Sequence, residues 1–346
     1  MTIPKTMEAI YYEKATSFKL ATVPVPQFQP HEVLIKVSCC GLCGTDQHLH
    51  SGETSMASYP FIPGHEVVGV IAEVGSAVTG FSKGDRVVAD PLVECGHCFF
   101  CLRAEFVLCE NLGAHGVSIT GGFSQYVVFE ARKVFKIHNI SDEEATLIEP
   151  TACAIHGVDR LEVKVGVEAL VIGAGPTGLV LAQLLKLNGA TKVVVAANKG
   201  VKTEIARKLG AADEYVELDR ADPKPQWEKL KKDYPYGFDV VVEATGSAAV
   251  ANDAINYVRR GGKLLVYSVY DPSALVQWSP AKIFIDEIKI IGSFAQPNCF
   301  PRAVAYLDSG KVNVKGLVTD VYKLSEYQQA LDKYKNRDVG KIAVRP

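Results

Sequence analysis

The sequence predicts an α/β protein of two domains, a β-barrel-like domain followed by a doubly wound parallel sheet, and three observations carry that prediction. Its 346 residues exceed what one ordinary core fills and fall short of three. From about Glu32 the chain runs in short β-rich stretches broken by glycine. From Val165 it alternates apolar runs with helical ones, which is the rhythm of parallel strands covered on both faces.

In the first part the expected strands are Val33 to Val37, Val67 to Val74 and Arg86 to Ala89. In the second they are Ala169 to Ile172, Lys192 to Ala196, Phe238 to Glu243 and Lys263 to Tyr267. After Ile291 the alternation stops: Pro301 to Gly310 reads as one short helix and Lys341 to Val344 as a final strand. This divides the chain into residues 1–152, with a cysteine lobe at about 93–112, then 153–291, then a tail, 292–346, that returns to the first domain. The charged stretch Lys224 to Lys232 reads as a solvated helix.

Composition narrows the function classes. Apolar residues make up 48% and charged residues 22%, so nothing in the balance signals extensive disorder. A net charge of -2 offers no basic surplus for a run of phosphates, which argues against nucleic acid as the main partner. Met1 to Leu20 carries scattered charges and no uninterrupted apolar stretch, and no charge-free apolar span of about 18 residues occurs elsewhere; the expected location is the cytoplasm.

The strand Leu170-Val171-Ile172 runs straight into Gly173-Ala174-Gly175-Pro176-Thr177-Gly178 and then a helical pattern through Leu181, Leu184 and Leu185. Such a turn binds a dinucleotide: the first glycine permits the turn, the second lets backbone approach a pyrophosphate, the third lets helix and strand pack, and the helix N-terminus favours the phosphates. An acidic residue about 20 positions further on would hydrogen-bond the adenosine ribose of NAD. Here the next strand ends Ala197-Asn198-Lys199-Gly200, with Lys202 behind it. Amide and ammonium donors in place of a carboxylate would welcome a 2′-phosphate, so the expected cofactor is NADP in preference to NAD, with Ala197, Asn198 and Lys199 at the contact.

Two groups of residues suggest metal. Nine cysteines are an odd number, and Cys95, Cys98, Cys101 and Cys109 crowd into one short window. Four thiolates at that spacing can close a tetrahedral zinc site with no open position, which makes a structural site; His97, inside the loop, is expected at the surface. The second group is dispersed: Cys43 in Gly41-Leu42-Cys43-Gly44-Thr45-Asp46, His65 and Glu66 in Pro63-Gly64-His65-Glu66, and Glu149 in Ile148-Glu149-Pro150. Singly, each reads as an ordinary structural residue. Upstream of a dinucleotide turn they read together, because hydride transfer from an unactivated alcohol needs a group that generates the alkoxide.

These motifs, in this order and over most of the chain, resemble the zinc-containing medium-chain dehydrogenases. The resemblance implies a GroES-like barrel as the catalytic domain, a Rossmann domain for the cofactor, and two zinc sites. One position departs from the two-cysteine, one-histidine pattern of alcohol dehydrogenases: Glu149 stands where the second cysteine is found. That departure, together with Gly121 to Tyr126 and Ile148 to His156, resembles the polyol branch of sorbitol, xylitol and arabinitol dehydrogenases, and the Ala197-Asn198-Lys199 strand end is similar to that of fungal D-arabinitol dehydrogenases. It implies a catalytic zinc held by Cys43, His65 and a glutamate, with Glu66 and Glu149 each able to bind directly or through water and Glu149 placed ahead. Asp46 is implied to hold the other nitrogen of His65.

The implied mechanism has the substrate hydroxyl ionised at zinc, hydride passing to the nicotinamide, and the proton leaving through Thr45, the cofactor ribose and His48. The implied substrate is a pentitol or hexitol, with 2,3-butanediol and simple secondary alcohols as the alternative, because Ala295 and Gln296 stand where polyol enzymes commonly carry an arginine and an aromatic residue. Relatives of this kind are homodimers or homotetramers. Two competing readings remain: a zinc-free quinone or enoyl reductase would lack both metal groups, and a non-catalytic dinucleotide binder would have lost ligand positions that stand here.

Overall fold

The computed structural model describes residues 3–53, 57–336 and 339–346. It divides into two compact units. The first comprises Met1–Pro150, Phe300–Lys311 and Gly316–Pro346; the second comprises Thr151–Cys299 and Val312–Lys315.

The first unit is built on a seven-stranded sheet whose order runs Val318–Lys323, Lys341–Arg345, Glu32–Leu42, Glu66–Val74, Arg86–Ala89, Val134–Lys136, with Tyr126–Glu130 also paired to Glu32–Leu42. All pairings are antiparallel except that of the first two strands. The long strand Glu32–Leu42 is apolar on both faces, and packing explains it. Val33, Ile35 and Val37 point into the main core with Ile71, Val87 and Phe129, while Leu34 points the other way into a cluster with Met7, Ala9 and Val25. Those three come from or border a hairpin, Thr6–Lys14 with Ser17–Pro24, that covers this second face. Each fully buried aliphatic side chain contributes about 1.5–3 kcal/mol, so this strand anchors the unit.

The expected strands of this unit are present: Arg86–Ala89 has the expected bounds, and the others run longer, Glu32–Leu42 most of all. The hairpin, the strand Val318–Lys323 and the helix Tyr327–Lys335 are additions.

The second unit is a six-stranded, wholly parallel sheet in the order Glu214–Leu218, Lys192–Asn198, Glu168–Ile172, Phe238–Glu243, Val258–Val266, Lys289–Gly292. Its central strands are buried along most of their length, as strands covered by crossover helices must be. Strand order reverses direction between Glu168–Ile172 and Phe238–Glu243, and the crevice beyond the carboxyl ends of two such strands is where open α/β sheets bind ligands. The charged stretch of the sequence forms the helix Lys224–Asp233, attached to the core through Leu230. Among the described residues no helix is long and apolar enough to cross a membrane.

Candidate functional site

Cys43 follows the strand Glu32–Leu42 and caps the helix Gly44–Ser51. Its sulfur accepts from the Thr45 N–H at 3.3 Å, while its own N–H donates to Asp46 Oδ2 at 2.9 Å. The strand-to-helix turn thereby aims one sulfur and one carboxylate at the same point, at the positive end of the helix. Thr45 and His48 follow three residues apart, on one side of this helix. His48 Nδ1 lies 2.6 Å from Glu53 Oε2 at the half-exposed edge of the helix.

His65 and Glu66 enter from the neighbouring strand. Gly64, just before them, has φ 98°, and a Cβ there would lie 2.8 Å from the Phe123 nitrogen. The stretch Gly121 to Phe123 holds this turn in place: Gly121, Gly122 and Phe123 donate backbone bonds to Ile62, Gly64 and Pro63, at 2.7, 2.7 and 2.9 Å. His65 Nε2 thus comes to 3.1 Å from Cys43 Sγ, and Nδ1 to 3.9 Å from Asp46 Oδ1. The second distance exceeds a hydrogen bond, and both Nδ1 and Asp46 Oδ1 are buried with no hydrogen-bond partner. Glu149, near the start of the helix Ile148–Leu161, completes the neighbourhood.

Ligand atoms of Cys43, Asp46 and His65 lie within 4.8 Å of one another, as do those of His65, Glu66 and Glu149. Electrostatics agree with a site built for a cation. Burial alone would depress the His65 pKa, yet Cys43 and Asp46 hold it well above the ordinary imidazole value. Burial pushes the Asp46 carboxyl up to about 6 against the opposing influence of His65. One sulfur, one imidazole and a carboxylate form a mixed soft and hard donor set that suits zinc, and the second ring nitrogen faces the Asp46 carboxylate, which a small approach would bring to the hydrogen bond that orients a metal-binding histidine.

The sequence reading missed Lys341. This side chain is 4% exposed and forms an ion pair with Glu66 Oε2. Burial would lower its pKa, but Glu66 and then Cys43 hold it above the ordinary lysine value. Gly41 makes the space: a Cβ at that position would lie 1.8 Å from Glu66 Oε2 and 2.9 Å from Lys341 Cε. The available signal was a lysine opening an otherwise apolar strand, Lys341-Ile342-Ala343-Val344.

The four thiols of Cys95, Cys98, Cys101 and Cys109 also converge within 4.8 Å. Cys109 Sγ accepts from the N–H groups of Cys95 and Asn111, each at 3.4 Å, and the His97 backbone N–H holds the Cys95 thiol down at about 6. His97 itself is exposed. Four sulfurs fed by backbone donors fit a closed tetrahedral zinc site.

In the second unit Gly173 has φ 120°, Gly175 caps the helix Pro176–Leu187, and Pro176 takes its first position. A Cβ on Gly178 would lie 2.2 Å from the Gly173 carbonyl oxygen, so helix and turn pack backbone to backbone; a Cβ on Gly175 would meet nothing within 4 Å, leaving the turn open where a phosphate would approach. Thr177 is half-buried in the first turn of the helix. The adjacent strand, paired Ile172 to Ala196, carries Ala197 half-buried and Asn198 and Lys199 exposed just past the glycine turn.

Two family models match the chain: an alcohol dehydrogenase GroES-like domain over residues 29–139 and a zinc-binding dehydrogenase over residues 176–309. D-arabinitol dehydrogenase 1 of Uromyces fabae is 59% identical over 345 residues, covering 100% of this chain and 99% of the relative. Sorbitol dehydrogenase of Bacillus subtilis (strain 168) is 35% identical over 353 residues, covering 100% and 99%. Among solved structures, a zinc-binding dehydrogenase from Sinorhizobium meliloti 1021 bound to NADP superposes with a TM-score of 0.91 at 29% identity, covering 99% of this chain and 100% of that one.

Proposed function

We propose that this chain, which belongs to the zinc-containing medium-chain dehydrogenases and within them to the polyol branch, oxidises a secondary hydroxyl of a pentitol or hexitol, D-arabinitol foremost, to the ketose and catalyses the reverse reduction. NADP is its preferred dinucleotide. The observation that carries the reading is that His65 is shared by two close-set groups of candidate ligands, one with Cys43 and Asp46 and one with Glu66 and Glu149, in a chain 59% identical to a D-arabinitol dehydrogenase.

Cys43, His65 and Glu149 would hold the catalytic zinc, and Cys95, Cys98, Cys101 and Cys109 the structural one. The Lys341 ion pair supports Glu149 over Glu66 as the direct carboxylate, since Glu66 Oε2 already faces a cation. When bound, the catalytic zinc supplies a Lewis acid that makes a hydroxyl ionisable near neutral pH. Asp46 orients His65. Thr45 takes the proton at Oγ1, and His48, half-exposed beside Glu53, releases it to water. Gly173, Gly175 and Gly178, with Pro176 and Thr177, cradle the pyrophosphate, while Asn198 and Lys199 meet the 2′-phosphate beside Ala197.

The assembly is a homodimer or homotetramer. The strand Lys289–Gly292 lies at the sheet edge among the described residues, and Phe284 and Ile285, in the helix just before it in sequence, are strongly exposed; a second copy would cover them. Nine cysteines without a disulfide fit a reducing compartment, the cytosol.

Initial rates on D-arabinitol, xylitol, sorbitol, mannitol, butanediol and 2-propanol, each with NADP and with NAD, test the reading. Polyols with NADP should lead; simple alcohols outrunning every polyol would overturn the substrate class, and higher kcat/KM with NAD would overturn the cofactor preference.

A further inference from the structure

Glu243 is a fully buried carboxylate that the catalytic reading leaves without a task. It ends the strand Phe238–Glu243, 0% exposed, at the carboxyl edge of the sheet. Its register partner is Ile172, the residue before the glycine turn. The following residues press on that turn: Ala244 N–H donates to Ile172 O at 2.9 Å, and a Cβ on Gly173 would lie 2.7 Å from Ala244 O. Glu243 therefore stands where strand order reverses, at the wall of the cofactor crevice.

A charge in that position needs donors, and the structure supplies four. Thr245 gives its N–H, at 2.7 Å, and its hydroxyl to Oε1; Gly246 gives its N–H to Oε2 at 3.3 Å. The fourth is the hydroxyl of Tyr270, which donates to Oε2 from the loop that follows the next strand, Val258–Val266. Burial and the carboxylate both hold the Tyr270 proton in place, raising its pKa far above the ordinary phenol value. The two loops also touch through backbone: a Cβ on Gly246 would lie 2.7 Å from Val269 O. Beyond this point the second loop reaches solvent, with Val269 largely exposed.

We propose that the Tyr270–Glu243 pair is a latch that fixes the loop of residues 268–273 as one wall of the dinucleotide crevice, making Tyr270 a positioning residue for the cofactor. The inference rests on the dinucleotide-binding reading above. One phenol hydroxyl joins two loops that flank the switch point, and its partner carboxylate shares a strand register with the glycine turn. Loosening the loop would leave the crevice incompletely formed, so cofactor binding would have to order it.

The test is Tyr270→Phe, which removes the donor and keeps the ring, with Glu243→Gln as the matching change on the acceptor. Binding is read as NADPH fluorescence in the absence of any alcohol, and loop order as amide hydrogen exchange over residues 268–275 of the cofactor-free protein. Loss of a hydrogen bond to a buried charge should raise the NADPH Kd about tenfold or more, raise KM for NADP in parallel, and leave kcat at saturating cofactor within about twofold. Exchange in the loop should quicken while the glycine turn stays protected. A Tyr270→Phe protein with unchanged Kd and unchanged loop exchange overturns the latch, and so does one with a lowered Tm but wild-type Kd. Wild-type protein that binds neither NADPH nor NADH overturns the cofactor reading instead. Glu243→Gln that fails to fold leaves Tyr270→Phe as the deciding variant.

Discussion

Replacing Lys341 by Met should be among the most damaging single changes in the first unit. Lys341 and Glu66 have side chains 4% and 1% exposed, so neither charge is hydrated and each is balanced chiefly by the other. Met keeps most of the volume and removes the charge, leaving the Glu66 carboxylate in the interior, grouped with His65 and Glu149, without the ammonium that pairs with it. Removing one partner of a buried pair destabilises by about 3–5 kcal/mol. At about 2–4 °C per kcal/mol for a domain of this size, the calorimetric transition of the first unit should fall by roughly 6–20 °C. The double variant Glu66→Gln/Lys341→Met should recover most of that loss, because it removes the stranded charge too. Scans on protein stripped of metal with chelator, repeated with zinc restored, separate the pair from the metal site. A shift below about 2 °C in the stripped protein, or a double variant no more stable than the single one, would refute the reasoning. Gly41→Ala offers an independent route to the same pair, since its Cβ would collide with both partners.

Two further outcomes follow from the geometry. Asn198→Asp places a carboxylate at the strand end where an NAD site carries one, and should lower kcat/KM for NADP about tenfold or more while improving that for NAD; steady-state kinetics with both cofactors checks it. Asp308 accepts from the backbone N–H groups of His138, Asn139 and Ile140, at 2.6–3.1 Å for the best contacts. Burial opposes ionisation, but these donors, led by that of Asn139, hold its carboxyl below the ordinary value. A depressed folded pKa means stability present above about pH 4 and lost as pH falls through the folded value. Asp308→Asn should therefore lower stability at neutral pH by about 1–3 kcal/mol and flatten its decline in acid, measured by urea unfolding from pH 7 to pH 3.

The parallel sheet was legible because strands buried on both faces need apolar residues without interruption, and Lys192 to Asn198 writes Val193-Val194-Val195-Ala196. The N-terminal hairpin was not. Its second strand, Ser17–Pro24, is half-exposed or exposed along its whole length, and Thr16 makes the turn at φ 61° with no glycine or asparagine to mark it. Val318–Lys323 alternates half-buried with exposed residues at the sheet edge, and so carries little apolar signal. The helix Tyr327–Lys335 did leave a trace, since its buried residues Tyr327, Ala330 and Leu331 follow the three-and-four spacing of an amphipathic face.

For the site, the difference between what the sequence displays and what it conceals follows from how each residue is held. Cys43 with Asp46, and Gly64 with His65, are aimed by local devices, a helix cap and a left-handed turn, and local devices leave motifs. Lys341 is held by a partner elsewhere in the chain, Glu66, and Glu243 by Tyr270 as well as by its neighbours Thr245 and Gly246; no spacing rule connects the distant partners. What such residues do leave is a violation of pattern: a lysine opening an apolar strand and a glutamate closing one, each where a buried charge would be ruinous unless matched. The glycines repeat the lesson in reverse, for Gly41 sits mid-sheet, where glycine weakens a strand, because two charged side chains occupy the space its Cβ would fill. A charge inside an apolar run, read together with a glycine where a strand wants bulk, is thus a usable sign of a buried ion pair before any coordinates exist.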